Sequence, residues 1–293
     1  MSELNPRIEE LRQEALAKVR SERLDEAIAL YDEALGLASD EEVRELITIN
    51  KAETLIAVQR GGPEVQALPM ILMRRRNARH TFLTAYALMY KHSLLNETKR
   101  AIFYGQIALD AANDANQSIW KLRALNEFGL VYQTDSQFSK AMECFEQALA
   151  CVEQVSDGTD TSFSRVAIIG NLGYTKLISG DTKEGLRLLH SVIDEIPSPQ
   201  LKSDTYVDLC YGYLDLQQYE KARLYGEISL DLACEPRQVR NAHYLLGEAA
   251  YKTGDLEAAE YHFEELARFY PQFRNMKSLL FAIDLRSMIN LKL

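Results

Sequence analysis

Apolar residues recur along this chain at helical spacing, interrupted by short polar breaks. Leu46 to Val58 has a helical pattern, and Gln59-Arg60-Gly61-Gly62-Pro63 ends it. Pro63, followed by Glu64, suits the first turn of a new helix. Pro69 inside that helix predicts a distortion, because proline lacks an amide hydrogen and crowds the preceding turn. Two distant segments echo each other: Lys99–Ala112 reads KRAIFYGQIALDAA and Glu220–Ala233 reads EKARLYGEISLDLA. Each puts a glycine, Gly105 or Gly226, in mid-helix, where it costs about 1 kcal/mol relative to alanine. The expected return is close approach of a neighbouring helix, with Tyr104 or Tyr225 filling the adjoining space. Val155–Thr161, VSDGTDT, contains the turn signal Asp157-Gly158 and predicts an exposed loop.

Asn241–Pro271 reads NAHYLLGEAAYKTGDLEAAEYHFEELARFYP, with His243, Leu246, Gly247, Ala250, Gly254, Ala259, Phe263 and Pro271 at fixed offsets. These offsets resemble the tetratricopeptide repeat (TPR), a helix–turn–helix unit. One such unit cannot bury its own apolar face, so neighbours must stack on it. The small residue opening the second helix recurs at Ala27, Ala101, Ala141, Gly185, Ala222 and Ala259, and the first interval is twice the last. A degenerate unit is therefore expected between Ala27 and Ala101.

Leu125, Phe128, Gly129, Tyr132, Ala141, Phe145 and Ala148 follow the family pattern closely. Ile169, Leu172, Gly173, Gly180 and Pro197 do so with Gly185 replacing the usual alanine, and Tyr206, Leu209, Cys210 and Tyr213 mark another unit. Met89 and Lys18 depart from it, at the small and aromatic first-helix positions. The resemblance implies an all-α, right-handed superhelical solenoid of about seven TPR-like helix pairs plus a C-terminal capping helix. The chain is then one domain, 1–293, with approximate units 5–39, 41–76, 78–114, 118–154, 162–197, 200–236 and 238–271. Intervals of 37 to 44 residues exceed the usual spacing of about 34. Longer units of this kind occur in kinesin light chains and in bacterial receptors for short signalling peptides.

The helix expected over 275–291 is too apolar for a simple cap, since its apolar residues spread over more than one face. One reading wedges it against the last pair with some leucines exposed. The other makes it a homodimer contact through Leu280, Ile283, Met288 and Ile289.

In this family the first helices line the concave side. Carried onto this sequence, the groove-facing positions collect Tyr86, Tyr90, Tyr174, Tyr211, Tyr244 and Tyr251, with Asn126 and Gln133 in the middle. Tyrosine offers a rigid apolar body with a polar tip, and Asn and Gln can pair both backbone groups of an extended peptide. Arg123 lies one turn before Asn126 and could take a carboxylate bidentately. Tyrosine is also common where adjacent first helices pack, so the six divide between groove and packing. The Lys and Asn clamp of the chaperone-tail binders is not reproduced.

A net charge of −10 argues against nucleic acid as a partner. One basic cluster, Arg74-Arg75-Arg76 with Arg79, reads as a solvated helix end or as a contact for an acidic partner. Mean hydropathy of −0.23 fits a soluble chain. No signal-peptide core and no membrane-spanning run is present. Cys144, Cys151, Cys210 and Cys234 lack metal-site spacing and fit a reducing, cytoplasmic setting; Cys144 and Cys151, seven apart, share a helix face. No catalytic or nucleotide motif occurs, and His80, His92, His190, His243 and His262 are scattered over different units. No catalytic, metal or cofactor residue is assigned. The expected function is a non-enzymatic adaptor that holds a peptide segment or partner helix in the groove. The alternatives are a sensor of a short signalling peptide and a structural subunit that self-associates through its last helix. Such receptors usually carry an N-terminal module, whereas this chain opens directly on a repeat helix, which ranks the sensor second.

Overall fold

A computed structural model describes residues 6–21, 23–155, 161–271 and 274, the side chain of Phe163 excepted. Among these residues the regular structure is helical, with fourteen α-helices and one short 3-10 turn. The chain divides into two compact units, Met1–Gln137 with Ala150–Ser156, and Phe138–Leu149 with Asp157–Leu293. The helix expected over 275–291, with Leu280, Ile283, Met288 and Ile289, lies outside the described residues, as does most of the loop around Asp157-Gly158.

The first unit contains α1 (Pro6–Arg20), α2 (Leu24–Leu37), α3 (Glu41–Ala57), α4 (Pro63–Arg74), α5 (Ala78–Leu94), α6 (Thr98–Asp114) and α7 (Ser118–Thr134). Helix α8 (Phe138–Gln154) contributes residues to both units. The second contains α9 (Ser162–Ile178), α10 (Thr182–Val192), α11 (Pro199–Asp215), α12 (Tyr219–Leu232), α13 (Pro236–Thr253) and α14 (Leu256–Phe269). Within the first unit α1 pairs with α2, α3 with α4 and α5 with α6; within the second α9 pairs with α10, α11 with α12 and α13 with α14. First helices also touch each other, α3 to α5 to α7 in one unit and α9 to α11 to α13 in the other. This is the stacking by which a helix-pair repeat buries the apolar stripe that one pair leaves open.

The small residues of the sequence ruler sit at these contacts. Ala27, Ala101, Ala141 and Ala222 are fully buried and Ala259 is 5% exposed. The mid-helix glycines do allow close approach. A Cβ on Gly105 would lie 2.5 Å from the sulfur of Met89 and 2.7 Å from the ring of Phe128. A Cβ on Gly226 would lie 2.8 Å from a methyl of Leu246 and 3.2 Å from the Cys210 sulfur. The large residue Met89 is thus accommodated by removing the side chain opposite it. Tyr104 stacks on His92 at 5.3 Å and Tyr225 on Tyr213 at 5.3 Å, filling the space beside each glycine.

The turns inside the pairs share one geometry. Gln59, Asn96, Gly180 and Gln217 adopt positive φ just after α3, α5, α9 and α11, and Ser136 does so after α7. The next amide then reaches back five residues, Glu97 to the His92 carbonyl at 2.9 Å and Gln218 to the Tyr213 carbonyl at 2.8 Å. These are Schellman closures, which satisfy the last helical carbonyls.

The degenerate second unit is a helix pair, α3 with α4. Helix α4 runs continuously through Pro69, with no break at the expected distortion. Pro69 is exposed on a twelve-residue helix. Its ring therefore meets solvent rather than a packed neighbour. Helix α13 is buried on every face from Asn241 to Ala250.

Candidate functional site

The first helices α3, α5 and α7 bring Glu53, Tyr86, Tyr90, Ser93, Arg123 and Glu127 together. Arg123 donates from Nη2 to Glu53 at 2.8 Å and lies over the Tyr86 ring, 4.4 Å from its centroid. Burial works against the Arg123 charge, but Glu53 and Tyr86 outweigh it and raise its pKa. Arg123 therefore spends its planar fork on its own chain. The structure does not present it as an open clamp for a partner carboxylate. Glu127 follows one turn after Arg123 and is 5% exposed. Burial pushes its carboxyl up to about 7, with Glu53 adding to the rise, while a hydrogen bond from Ser93 and the charge of Arg123 oppose it. Tyr90 is half-buried, and its hydroxyl is raised by burial first and then by Glu127 and Glu53. On α7, Asn126 is half-buried and Gln133 is buried.

In the second unit the tyrosines separate. Tyr174 is 2% exposed and Tyr244 fully buried, so both spend their rings on packing. Burial also raises the Tyr174 hydroxyl, with Asp208 and Tyr211 adding to it. Tyr211 is half-buried and packs beside Val207, Cys210 and Tyr244, and Tyr251 is 40% exposed. Arg237 of α13 reaches Asp204 of α11 at 3.1 Å, and Asp208 is buried on α11. Sequence reasoning missed Glu53, Glu127, Asp208 and Arg237. Glu127 adjoins the named Asn126, and Glu53 lies in the degenerate unit where the ruler has no mark.

Two arginines of the basic cluster are paired with carboxylates of α3. Arg74 donates to Glu41 at 2.8 Å and to Glu45 at 2.6 Å, and Arg76 donates to Glu45 at 2.7 Å. His243 and His262 form a pair across α13 and α14, their Nδ1 atoms 2.9 Å apart. Among the described residues no group of three or more His, Cys, Asp or Glu side chains could hold a metal ion, and no helix is long and apolar enough to cross a membrane.

This arrangement defines a class: an all-helical repeat protein whose first helices present charged and aromatic side chains. Residues 122–150 match the family model described as tetratricopeptide repeat. No curated protein sequence matches the chain. Among solved structures, a Rap protein complexed with competence and sporulation factor is 14% identical, over 97% of this chain and 79% of that one, at a TM-score of 0.69. NprR in complex with its cognate peptide NprX is 15% identical, over 93% and 82%, at 0.65. A tetratricopeptide repeat protein from Parabacteroides merdae is 16% identical, over 95% and 100%, at 0.57. At these identities the likeness is one of fold. Residues 122–150 therefore carry a tetratricopeptide repeat, within a chain whose helix-pair fold is that of these arrays.

Proposed function

We propose that this chain is a non-catalytic binding protein that holds a peptide segment or a partner helix against its first helices. The observation that carries the reading is the convergence of α3, α5 and α7 on one cluster, in which Tyr90, Arg123 and Glu53 all keep partial exposure. Tyrosine and arginine are enriched where protein surfaces meet partners. In the second unit the half-buried Tyr211 and the exposed Tyr251 offer further apolar anchors on α11 and α13.

The test is selection of a displayed library of random peptides on the purified full chain. Tyr90→Ala should weaken peptides held on the first unit, and Tyr211→Ala peptides held on the second, each by about tenfold or more. Phe103→Ala, on the exposed side of the second helix α6, should not. Peptides that bind both tyrosine variants as they bind the parent would end the first-helix assignment.

A second reading, sensing of a short signalling peptide, draws on the neighbours NprR, in complex with its cognate peptide NprX, and a Rap protein complexed with competence and sporulation factor. A sensor must change conformation with its ligand, since a ligand shifts only equilibria it binds unequally. A selected peptide that compacts the chain in small-angle scattering favours this reading over a passive adaptor.

A further inference from the structure

We infer that His243 and His262 form an acid-operated latch between α13 and α14, closed while their facing nitrogens share one proton and opened when each carries its own. The latch is independent of peptide binding. The two Nδ1 atoms are 2.9 Å apart and the ring centroids 5.2 Å apart. At that separation one Nδ1–H donates and the other Nδ1 accepts, so the two rings hold opposite tautomers. His243 is 4% exposed and lies in the stretch of α13 that is buried on every face. It has no room to turn its ring to water while the helices stay packed. His262 is half-buried on α14.

The contact tolerates one added proton and not two. The first goes to the free Nε2 of the donor ring and leaves the hydrogen bond in place. The second must enter the accepting Nδ1, which then turns an N–H toward an N–H and sets two like charges side by side. Burial first lowers the pKa of both rings, that of His262 to about 4. The neighbouring carboxylates do not compensate, because arginines hold them. Glu265 of α14 faces His243, but it pairs with Arg268 at 2.7 Å, and Arg268 opposes the imidazolium. Asp255, which caps the start of α14, faces His262, but it lies 3.8 Å from Arg223 of α12, which opposes the charge in turn. Tyr261 of α14 sets its ring against both imidazoles, 6.1 Å from the His243 centroid and 5.0 Å from that of His262. Once both rings are charged the Nδ1 atoms must separate. The seam of α13 and α14, packed through Tyr244, Leu245, Phe263 and Leu266, opens with them.

The experiment is amide hydrogen exchange on the full chain at about pH 6 and about pH 5, corrected for the intrinsic exchange rate. Ordinary carboxylates stay charged in that window. Each proton taken up on opening raises the opening constant by at most about tenfold per pH unit. The latch takes up two, so α14 of the parent should lose more than about tenfold of its protection. Asparagine places its amide where Nδ1 stood and keeps a donor, so His262→Asn retains the contact with one titrating ring. Its loss in α14 should stay below about tenfold, as should the loss in α9 and α10 of the parent, where His190 stands alone. A parent loss in α14 below that bound, an equal loss in α9 and α10, or an equal loss in His262→Asn overturns the latch. A melting curve at about pH 7 checks the fold of the variant. Should it fail to fold, NMR of the ring nitrogens of the parent takes its place. One ring protonated at Nδ1 and the other at Nε2 supports the latch, and the same tautomer on both overturns it.

Discussion

Two residues set opposite pH responses, each through burial. Glu127 has its folded pKa raised to about 7, above the ordinary value of 4.5. The native state then binds more protons than the unfolded chain between those values. Its contribution is fully present below about pH 4.5 and lost as pH rises through 7. Glu127→Gln should therefore be more stable than the parent at pH 8, by roughly 2–3 kcal/mol, with the gap closing toward pH 4.5; urea melts at the two pH values check it. His262 runs the other way. Burial first, and then His243 and Arg223, lower its pKa to about 4, so its contribution holds above about pH 6.5 and is lost as pH falls toward 4. His262→Gln should flatten that acid loss, a change on the order of 1–2 kcal/mol after allowing for the partial exposure of the ring. A third residue, Gln217, holds φ of 56° in the turn after α11. Left-handed backbone strains any side chain with a Cβ. Gln217→Gly should stabilise the fold by about 0.5–1 kcal/mol in denaturant melts, the relief exceeding the extra entropy of the unfolded glycine.

At the scale of elements, the pairing of α5 with α6 inverts the usual sizes. The family pattern has a small residue on the first helix and a large one on the second; here Met89 and Gly105 exchange roles. Gly105→Ala would gain helix propensity of about 1 kcal/mol. It must also displace buried Met89 and Phe128, and overpacking of that kind costs typically 1–3 kcal/mol. The single variant should lower the melting midpoint, and adding Met89→Ala should recover part of the loss by removing one of the two clashing groups. The pairing of helices and the close approach at both glycines were legible in the sequence, because each follows from local residue size and spacing. The proposed binding face was legible only as a row of positions. Which tyrosines stay open depends on neighbouring helices. Tyr174 and Tyr244 are buried where Tyr90 and Tyr211 are not, though all occupy comparable register. The Glu53–Arg123 contact joins residues 70 apart, and no short-range pattern announces such a pair.

At the scale of the molecule, contacts within each unit run between consecutive pairs, so stability should be local and nearest-neighbour in character. The cores reflect this. One cluster joins α3 to α7 through residues such as Ile49, Leu68, Phe82, Ala108 and Ala124, and another joins α11 to α14 through Val207, Leu214, Leu245, Phe263 and Leu266. A lesion in one cluster removes burial only from helices that touch it. Gly226→Val tests this, because its branched side chain would enter space held by Leu246 and Cys210, both buried. Buried leucine in close packing cannot yield without opening its own neighbours. Hydrogen exchange followed by mass spectrometry should then show amide protection falling by an order of magnitude or more in α11 to α14. Protection in α3 to α6 should stay within about twofold of the parent. Equal loss in both would mean that the array unfolds as one cooperative body, and that packing between successive pairs is as strong as packing within them.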